Sequence, residues 1–354
     1  MDQSLKGKVV VVTGASGGVG RATVRLLARR GANIGLLARG VEGLEGAKRE
    51  VEKLGARAVV CPMDVSRADE MESAAQTVER ELGAIDVWVN NAMVSMYSKF
   101  MDMEADEFKH IVEVTFLGQV YGTKAALRRM IPRNRGVIIQ VGSALAYRSI
   151  PLQSAYCASK HGIEGFTESI RSELMHDDIN VRISMVNLPG VNTTQFTWTK
   201  NKMPNKPRPT GTIYQPELAA EAIVFAIENE RRQVFLGYPT LEAVIGEKFI
   251  PGVLDKYLAH AAWEGAFLPE PANPDKEDNF WKPVPRDLGS HGPFDAQSTN
   301  HSLQLWATRH RNGLLALAGA GLAALGLGLL TRRSNAAPSA GAPSLRRMVH
   351  TFAR

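Results

Sequence analysis

The chain has 354 residues, 44% of them hydrophobic and 22% charged, which excludes a disordered or fibrous protein and points to one large domain with additions, or to two domains. The net charge of +6 is uneven: residues 301–354 hold seven arginines and no acid, so the rest is close to neutral and a nucleic-acid-binding body is excluded. Two cysteines, Cys61 and Cys157, are too few for a disulfide scaffold and are expected as buried free thiols in a reducing compartment. No secretory signal is read at the start, since the first strand begins near Lys8.

Lys8–Val12, four consecutive β-branched valines after Lys8, is expected as a strand buried on both faces of a parallel sheet. The turn Thr13-Gly14-Ala15-Ser16-Gly17-Gly18-Val19-Gly20 follows, then an amphipathic helix over 21–30 that Gly31 ends. Strand, glycine turn and helix form the setting in which glycines let a phosphate approach the backbone and the helix N-terminus faces the anion. A second strand, 32–39, ends in Arg39. A site for NAD commonly places an acid here, on the ribose 2′-hydroxyl, whereas an arginine suits a 2′-phosphate; NADP(H) is therefore expected.

The alternation continues. A third strand spans 57–65 and ends at Asp64-Val65, where an acid would meet the adenine edge. A helix over 67–82 precedes a fourth strand whose exit is Asn90-Asn91-Ala92. Residues 108–130 read as one long helix, 136–143 as a fifth strand ending at Ser143, and 181–188 as a sixth ending at Pro189-Gly190. A helix over 217–230 and a last strand over 233–237 close the pattern. Repeated βα units predict a doubly wound parallel sheet of Rossmann type, an α/β fold in three layers. Its ligands bind beyond the strand carboxyl ends, where the glycine turn, Asn90, Ser143 and Pro189 would gather.

Between the fifth and sixth strands lies a helix to about Met175 that carries Tyr156 and Lys160. Four residues apart on a helix, the two side chains share a face. A phenol with an ordinary pKa of about 10 is a poor proton shuttle near neutrality, and a neighbouring ammonium favours the phenolate. The pair is a candidate acid/base device. His161 reads as a solvated or helix-capping residue and Cys157 as a packing residue.

With these motifs in this order, the chain resembles the classical short-chain dehydrogenases/reductases over roughly residues 5–250. The family's TGxxxGxG is met by Thr13, Gly14, Gly18 and Gly20, its Asp-Val by Asp64-Val65, its Asn-Asn-Ala-Gly by Asn90-Asn91-Ala92-Met93, its serine by Ser143, its YxxxK by Tyr156 and Lys160, and its Pro-Gly by Pro189-Gly190. The resemblance implies hydride transfer between NADP(H) and an alcohol or carbonyl substrate. Tyr156 would act as acid/base, Ser143 would hydrogen-bond the carbonyl oxygen, and Lys160 would lower the phenol pKa and hold the nicotinamide ribose. Dimers or tetramers through the helices around 108–130 and 154–175 are also implied. Two positions depart from the pattern. Met93 replaces a glycine of the cofactor wall. Thr115 stands where the family usually has an asparagine that keeps a helix kink and holds a relay water; its hydroxyl can bond back to its helix carbonyl and hold water instead.

In the family the stretch 190–215 covers the substrate. Its Phe196 and Trp198 suggest an apolar substrate portion, while Lys200, Lys202, Lys206 and Arg208 suit either an acidic group or a solvated loop face. Beyond 250 a C-terminal extension, 251–308, is expected, with a helix near 249–263, an irregular Pro/Asn/Asp-rich stretch over 269–293, and Phe280, Trp281 and Phe294 packing on the body. Residues 313–330 are all Leu, Ala or Gly, enough for roughly 27 Å of helix. They make 309–334 a candidate membrane anchor on an otherwise cytoplasmic protein, the alternatives being a helix lying on or re-entering a membrane, a helix packing on a partner subunit, or a disordered Ala/Gly tail, and 335–354 reads as a disordered basic tail. A competing functional reading is a nucleotide-binding sensor or membrane scaffold that has lost turnover.

Overall fold

The run Val9–Thr13 forms strand β1, and all five of its residues are buried. The structure, a computed structural model, describes residues 3–319. The sheet continues with β2 (Asn33–Ala38), β3 (Ala58–Pro62), β4 (Ile85–Asn90), β5 (Gly136–Ser143), β6 (Val181–Leu188) and β7 (Gln233–Phe235). The order across the sheet is β7-β6-β5-β4-β1-β2-β3 and every pairing is parallel. Strand order therefore reverses between β1 and β4, the place where such sheets open a crevice beyond their carboxyl ends.

Alternation along β1 feeds two cores. Val10 and Val12 pack with Val24 and Leu27 of α1 (Gly18–Arg29), Leu44 and Val51 of α2 (Val41–Lys53) and Ile223. Val9 and Val11 pack on the other face with Met71 and Val78 of α3 (Ala68–Leu82), Ala125 and Leu174. This is the doubly wound three-layer fold that the alternation predicts.

The helix expected over 108–130 is different in detail. It begins earlier, as α4 (Ala105–Val112), passes through a π-helical turn at Glu113–Leu117, and continues as α5 (Gly118–Met130). A widened turn of this kind marks an extra residue accommodated inside a helix, often at a functional site. Its centre is Thr115, fully buried. After β5 comes α6 (Ser154–His176), with Tyr156 and Lys160 in its first two turns; α7 (Pro216–Glu228) follows β6. The helix expected near 249–263 is present but is preceded by another: α8 (Tyr238–Phe249) stops at Ile250 and α9 (Pro251–Gly265) follows, because a residue preceding proline is driven out of the helical region.

The extension makes short pairings with the body. Phe267–Pro271 runs antiparallel to Asn205–Pro207, and Ser298–Thr299 runs parallel to Ile213–Tyr214. Phe280 and Phe294 are buried and Trp281 is half-exposed. All these elements lie in the compact unit Met1–Trp306; residues from Ala307 onward belong to a second unit, of which the described residues 311–319 are helical and exposed. Among the described residues no helix is long and apolar enough to cross a membrane. Most of the apolar stretch 313–330, and all of the tail 335–354, lie outside the described residues.

Candidate active site

β1 ends at Thr13, whose hydroxyl accepts the amides of Asn91 (2.9 Å) and Ala92 (3.0 Å) and so ties the exit of β4 to that of β1. Asn91 returns a side-chain bond to the Thr13 carbonyl at 2.9 Å. The glycine turn then folds over this junction. Gly14 has φ +67°, and a Cβ there would meet Asn91 Nδ2 at 2.8 Å; a Cβ on Gly20 would come within 2.1 Å of the Gly14 carbonyl oxygen. Only bare backbone fits, and Gly14, Ser16 and Gly18 line a cavity of about 570 Å³. This is a cradle suited to a phosphate-bearing ligand.

The same cavity is lined by Arg39, Asp64 and Val65, which follow β2 and β3, and by Asn91, Ser143, Tyr156, Lys160, Pro189 and Gly190 on the side of β4, β5 and β6. Of the motif residues, Thr13, Gly20, Asn90 and Thr115 do not line it: the first two shape the turn from behind. Asn90 is a correction. It is fully buried and turned away from the crevice, donating to Gln140 (2.9 Å) and Thr123 (3.1 Å) and accepting from Trp88 Nε1 (2.8 Å). A residue at a strand exit alternates between faces, so Asn91 reaches the ligand side and Asn90 the helix side.

Ser143 stands at the end of β5, its Oγ accepting the Leu145 amide at 3.1 Å. Tyr156 is half-buried; burial pushes its phenol well above the ordinary range, Cys157 adds to this, and a hydrogen bond from Ser143 pulls the other way. Lys160 is nearly sealed from solvent. Its Nζ donates to the Val141 carbonyl at 2.7 Å and lies 5.5 Å from the centre of the Tyr156 ring. Burial lowers its pKa to about 7. The sequence expectation that the ammonium lowers the phenol pKa is therefore not the dominant effect in this geometry. Desolvation disfavours both charged forms, raising one group and lowering the other.

Thr115 departs from its expected bonding. Its hydroxyl does not bond back to its own helix but donates to the Val94 carbonyl at 2.8 Å and accepts the Val94 amide at 3.1 Å. Met93, in place of the usual glycine, lines the cavity wall. His161 is exposed and bonds the Cys157 carbonyl at 2.9 Å; both cysteines are buried and free.

Of the basic residues in the 190–215 stretch, three serve to hold it down. Lys200 and Lys202 pair with buried Glu107 at 2.9 and 2.7 Å, and Lys206 with Glu270 at 2.6 Å. Phe196 and Trp198 line the cavity with Leu254, Tyr257 and Leu258 of α9. Arg148, which the motifs do not single out, also lines it and grips Glu247 of α8 and Asp255 of α9, each at 2.6 Å. Tyr97 and Gln153 belong to the same wall. Arg39 is occupied more fully than its position at the end of β2 foretells. Its Nη1 donates to the carbonyls of Phe280 (3.2 Å) and Trp281 (3.1 Å), and its Nη2 to that of Asn279. Only the aromatic residues of the Pro/Asn/Asp-rich stretch hinted at such docking.

Residues 8–205 match the sequence model of the short chain dehydrogenases. An uncharacterized oxidoreductase of Bacillus subtilis, YxnA, is 31% identical over 79% of this chain and 79% of its own length. Estradiol 17-beta-dehydrogenase 11 of Mus musculus is 30% identical over 73% of this chain and 85% of its own. Among solved structures, a metagenomic short-chain oxidoreductase in complex with NADP superposes with a TM-score of 0.57 at 29% identity, covering 66% of this chain and 98% of that one. With the glycine turn, the sheet order and the match over most of the fold, the chain belongs to the short-chain dehydrogenase/reductase family of oxidoreductases.

Proposed function

We propose that the protein transfers a hydride between NADP(H) and an alcohol/carbonyl substrate with an apolar portion. One observation carries this: Ser143, Tyr156 and Lys160 line the same cavity as Gly14, Ser16, Gly18 and Arg39. Arg39, in place of an acid at the end of β2, supports the 2′-phosphorylated cofactor, as does the similarity to an oxidoreductase solved with NADP. The relative named as an estradiol dehydrogenase supports an alcohol or carbonyl group in an apolar frame, and so do Phe196, Trp198, Leu254 and Leu258 on the cavity wall.

The nicotinamide, when bound, supplies or accepts the hydride. Tyr156 holds the proton: burial keeps the phenol protonated, so it can donate to the oxygen that becomes an alkoxide as a carbonyl is reduced, and take the proton back in the reverse direction. Ser143, fixed by the Leu145 amide, offers its hydroxyl to the same oxygen and stabilises the charge that grows there. Lys160 is assigned the nicotinamide ribose hydroxyls and the return of the proton. Thr115 is assigned a supporting part, holding the helix kink beside this group. Pro189, Gly190, Asp64, Val65 and Asn91 are assigned to the walls of the cofactor channel.

A second reading, a nucleotide-binding sensor or scaffold without turnover, is favoured by the Thr115 hydroxyl, whose contacts to Val94 replace a water-holding amide. A panel of carbonyl substrates, assayed with NADPH and with NADH, separates the two readings. Turnover with NADPH that Tyr156→Phe reduces at least a thousandfold, with NADPH affinity within about threefold of wild type, is the expected result; wild-type turnover in that variant overturns the acid/base assignment, and no turnover on any substrate favours the sensor.

A further inference from the structure

The segment Asn279–Ser290 lies across the glycine turn and the end of β2. Its carbonyls at 279, 280 and 281 take three of the five N–H donors of Arg39, leaving two. Phe280, which carries one of these carbonyls, is buried, and the same carbonyl accepts His110 Nε2 at 2.8 Å. Trp281 stacks on the His110 ring with centroids 4.5 Å apart. Further along, Asp287 meets the buried guanidinium of Arg21 at 3.2 Å, and the Gly289 carbonyl accepts the Gly18 amide at 3.1 Å. Ser290 is hydrogen-bonded by Arg25. Between these anchors Asn279, Pro283, Val284 and Arg286 line the same cavity as Gly18, Arg39 and Asp64.

A guanidinium gripped on its outer edge by fixed carbonyls has lost its rotamer freedom before any ligand arrives, so its remaining donors meet a phosphate at a lower entropic cost. Arg286 adds a second cation to that end of the cavity; its partner is Glu277 at 2.9 Å, in an exposed pair that a phosphate can outcompete. We propose that Asn279–Ser290 is a cofactor-binding element: it clamps Arg39, contributes Arg286, and closes the adenosine end of the site, so that cofactor affinity and preference for a 2′-phosphate depend on residues far from the dinucleotide motif. This rests on the NADP(H) reading above.

The test uses the full chain with adenosine 2′,5′-bisphosphate and 5′-AMP as probes, two ligands that differ only in the 2′-phosphate. Trp281→Ala removes a half-exposed side chain that seats the Arg39-binding carbonyls; Asp287→Ala releases the other anchor; thermal melts check that both fold. Calorimetric titration is expected to show bisphosphate affinity falling about tenfold or more in Trp281→Ala, with a smaller loss for 5′-AMP. Hydrogen exchange on the wild type is expected to show amides of 279–290 slowing when the bisphosphate is added. Affinities within twofold of wild type in both variants, or exchange in 279–290 indifferent to the probe, overturn the proposal. A wild type that does not prefer the bisphosphate over 5′-AMP instead overturns the NADP(H) reading, and the loss of 5′-AMP affinity in the variants then decides whether the segment closes the site.

Discussion

Thr115 and Val94 form a reciprocal pair: the threonine hydroxyl donates to the Val94 carbonyl at 2.8 Å and accepts the Val94 amide at 3.1 Å, with both residues buried. The π-turn of the α4–α5 helix is thus stapled to the loop leaving β4. Thr115→Val keeps the shape but leaves a buried amide and carbonyl unpaired, and is expected to cost about 2 kcal/mol. Thr115→Ser, which keeps the hydroxyl, is expected to cost less than about 1 kcal/mol, the transfer energy of one methyl group. Urea denaturation measures both, and equal midpoints for Thr115→Val and wild type would show that the staple carries no stability.

Glu107 holds the segment that carries Lys200 and Lys202 in place. Burial works to raise its pKa, but hydrogen bonds from Lys202 and Lys200 and from the Glu104 amide prevail and hold it down at about 2. A depressed carboxylate contributes stability that is present above its unfolded value, about 4.3, and is lost as pH falls toward the folded one. Glu107→Gln is therefore expected to speed amide exchange in residues 196–206 at pH 7, and wild type is expected to show the same loosening between pH 4 and pH 2. Unchanged exchange in the variant would assign the anchoring elsewhere.

What could be read from the chain, and what could not, follows from how each contact is encoded. An unbroken Val9–Val12 run announces a strand buried on both sides, and the glycine turn announces itself because only glycine fits where a Cβ would strike the Gly14 carbonyl or Asn91. Ser143, Tyr156 and Lys160 carry their chemistry in their side chains. Arg39 is different. Its partners are backbone carbonyls at 279–281, and a carbonyl has no residue signature. The pairing of Lys200 and Lys202 with Glu107 likewise depends on which charges the tertiary fold brings together. The π-turn was hidden because it shifts helical phase by one residue without changing composition. Asn90 and Asn91 look equivalent in sequence; only the alternation at the end of β4 separates the buried one from the one facing the cavity.

Lys160 should make stability depend on pH above neutrality. Burial lowers its pKa from 10.5 to about 7. Below pH 7 both the folded and unfolded chains carry the proton, and the folded state bears the cost of a buried ammonium. Between 7 and the unfolded value the unfolded chain binds more protons, so stability rises with pH by up to about 1.4 kcal/mol per unit. Lys160→Met lacks this rise. Its stability relative to wild type is expected to be greatest at pH 6 and to shrink by pH 9, as read from denaturation midpoints at the two values. Parallel curves would mean that Lys160 does not titrate in this range.

Two helical glycines should respond to alanine with opposite signs. Gly165 lies in the middle of α6, exposed, with nothing within 4 Å of where a Cβ would sit. Gly165→Ala is expected to stabilise by about 0.5–1 kcal/mol, the difference in helix propensity. Gly46 lies in α2, where the same propensity gain applies. A Cβ there, however, would meet Asp287 Oδ2 at 1.9 Å and Arg21 Nη2 at 2.8 Å. The carboxylate must move off, and with it the ion pair that fastens the extension to buried Arg21. Gly46→Ala is expected to destabilise by about 1–3 kcal/mol, as overpacking does, and to loosen residues 283–290 in hydrogen exchange. If Gly46→Ala instead stabilised the protein as Gly165→Ala does, Asp287 would not be seated against α2, and one anchor of the proposed cofactor-binding segment would be lost with it.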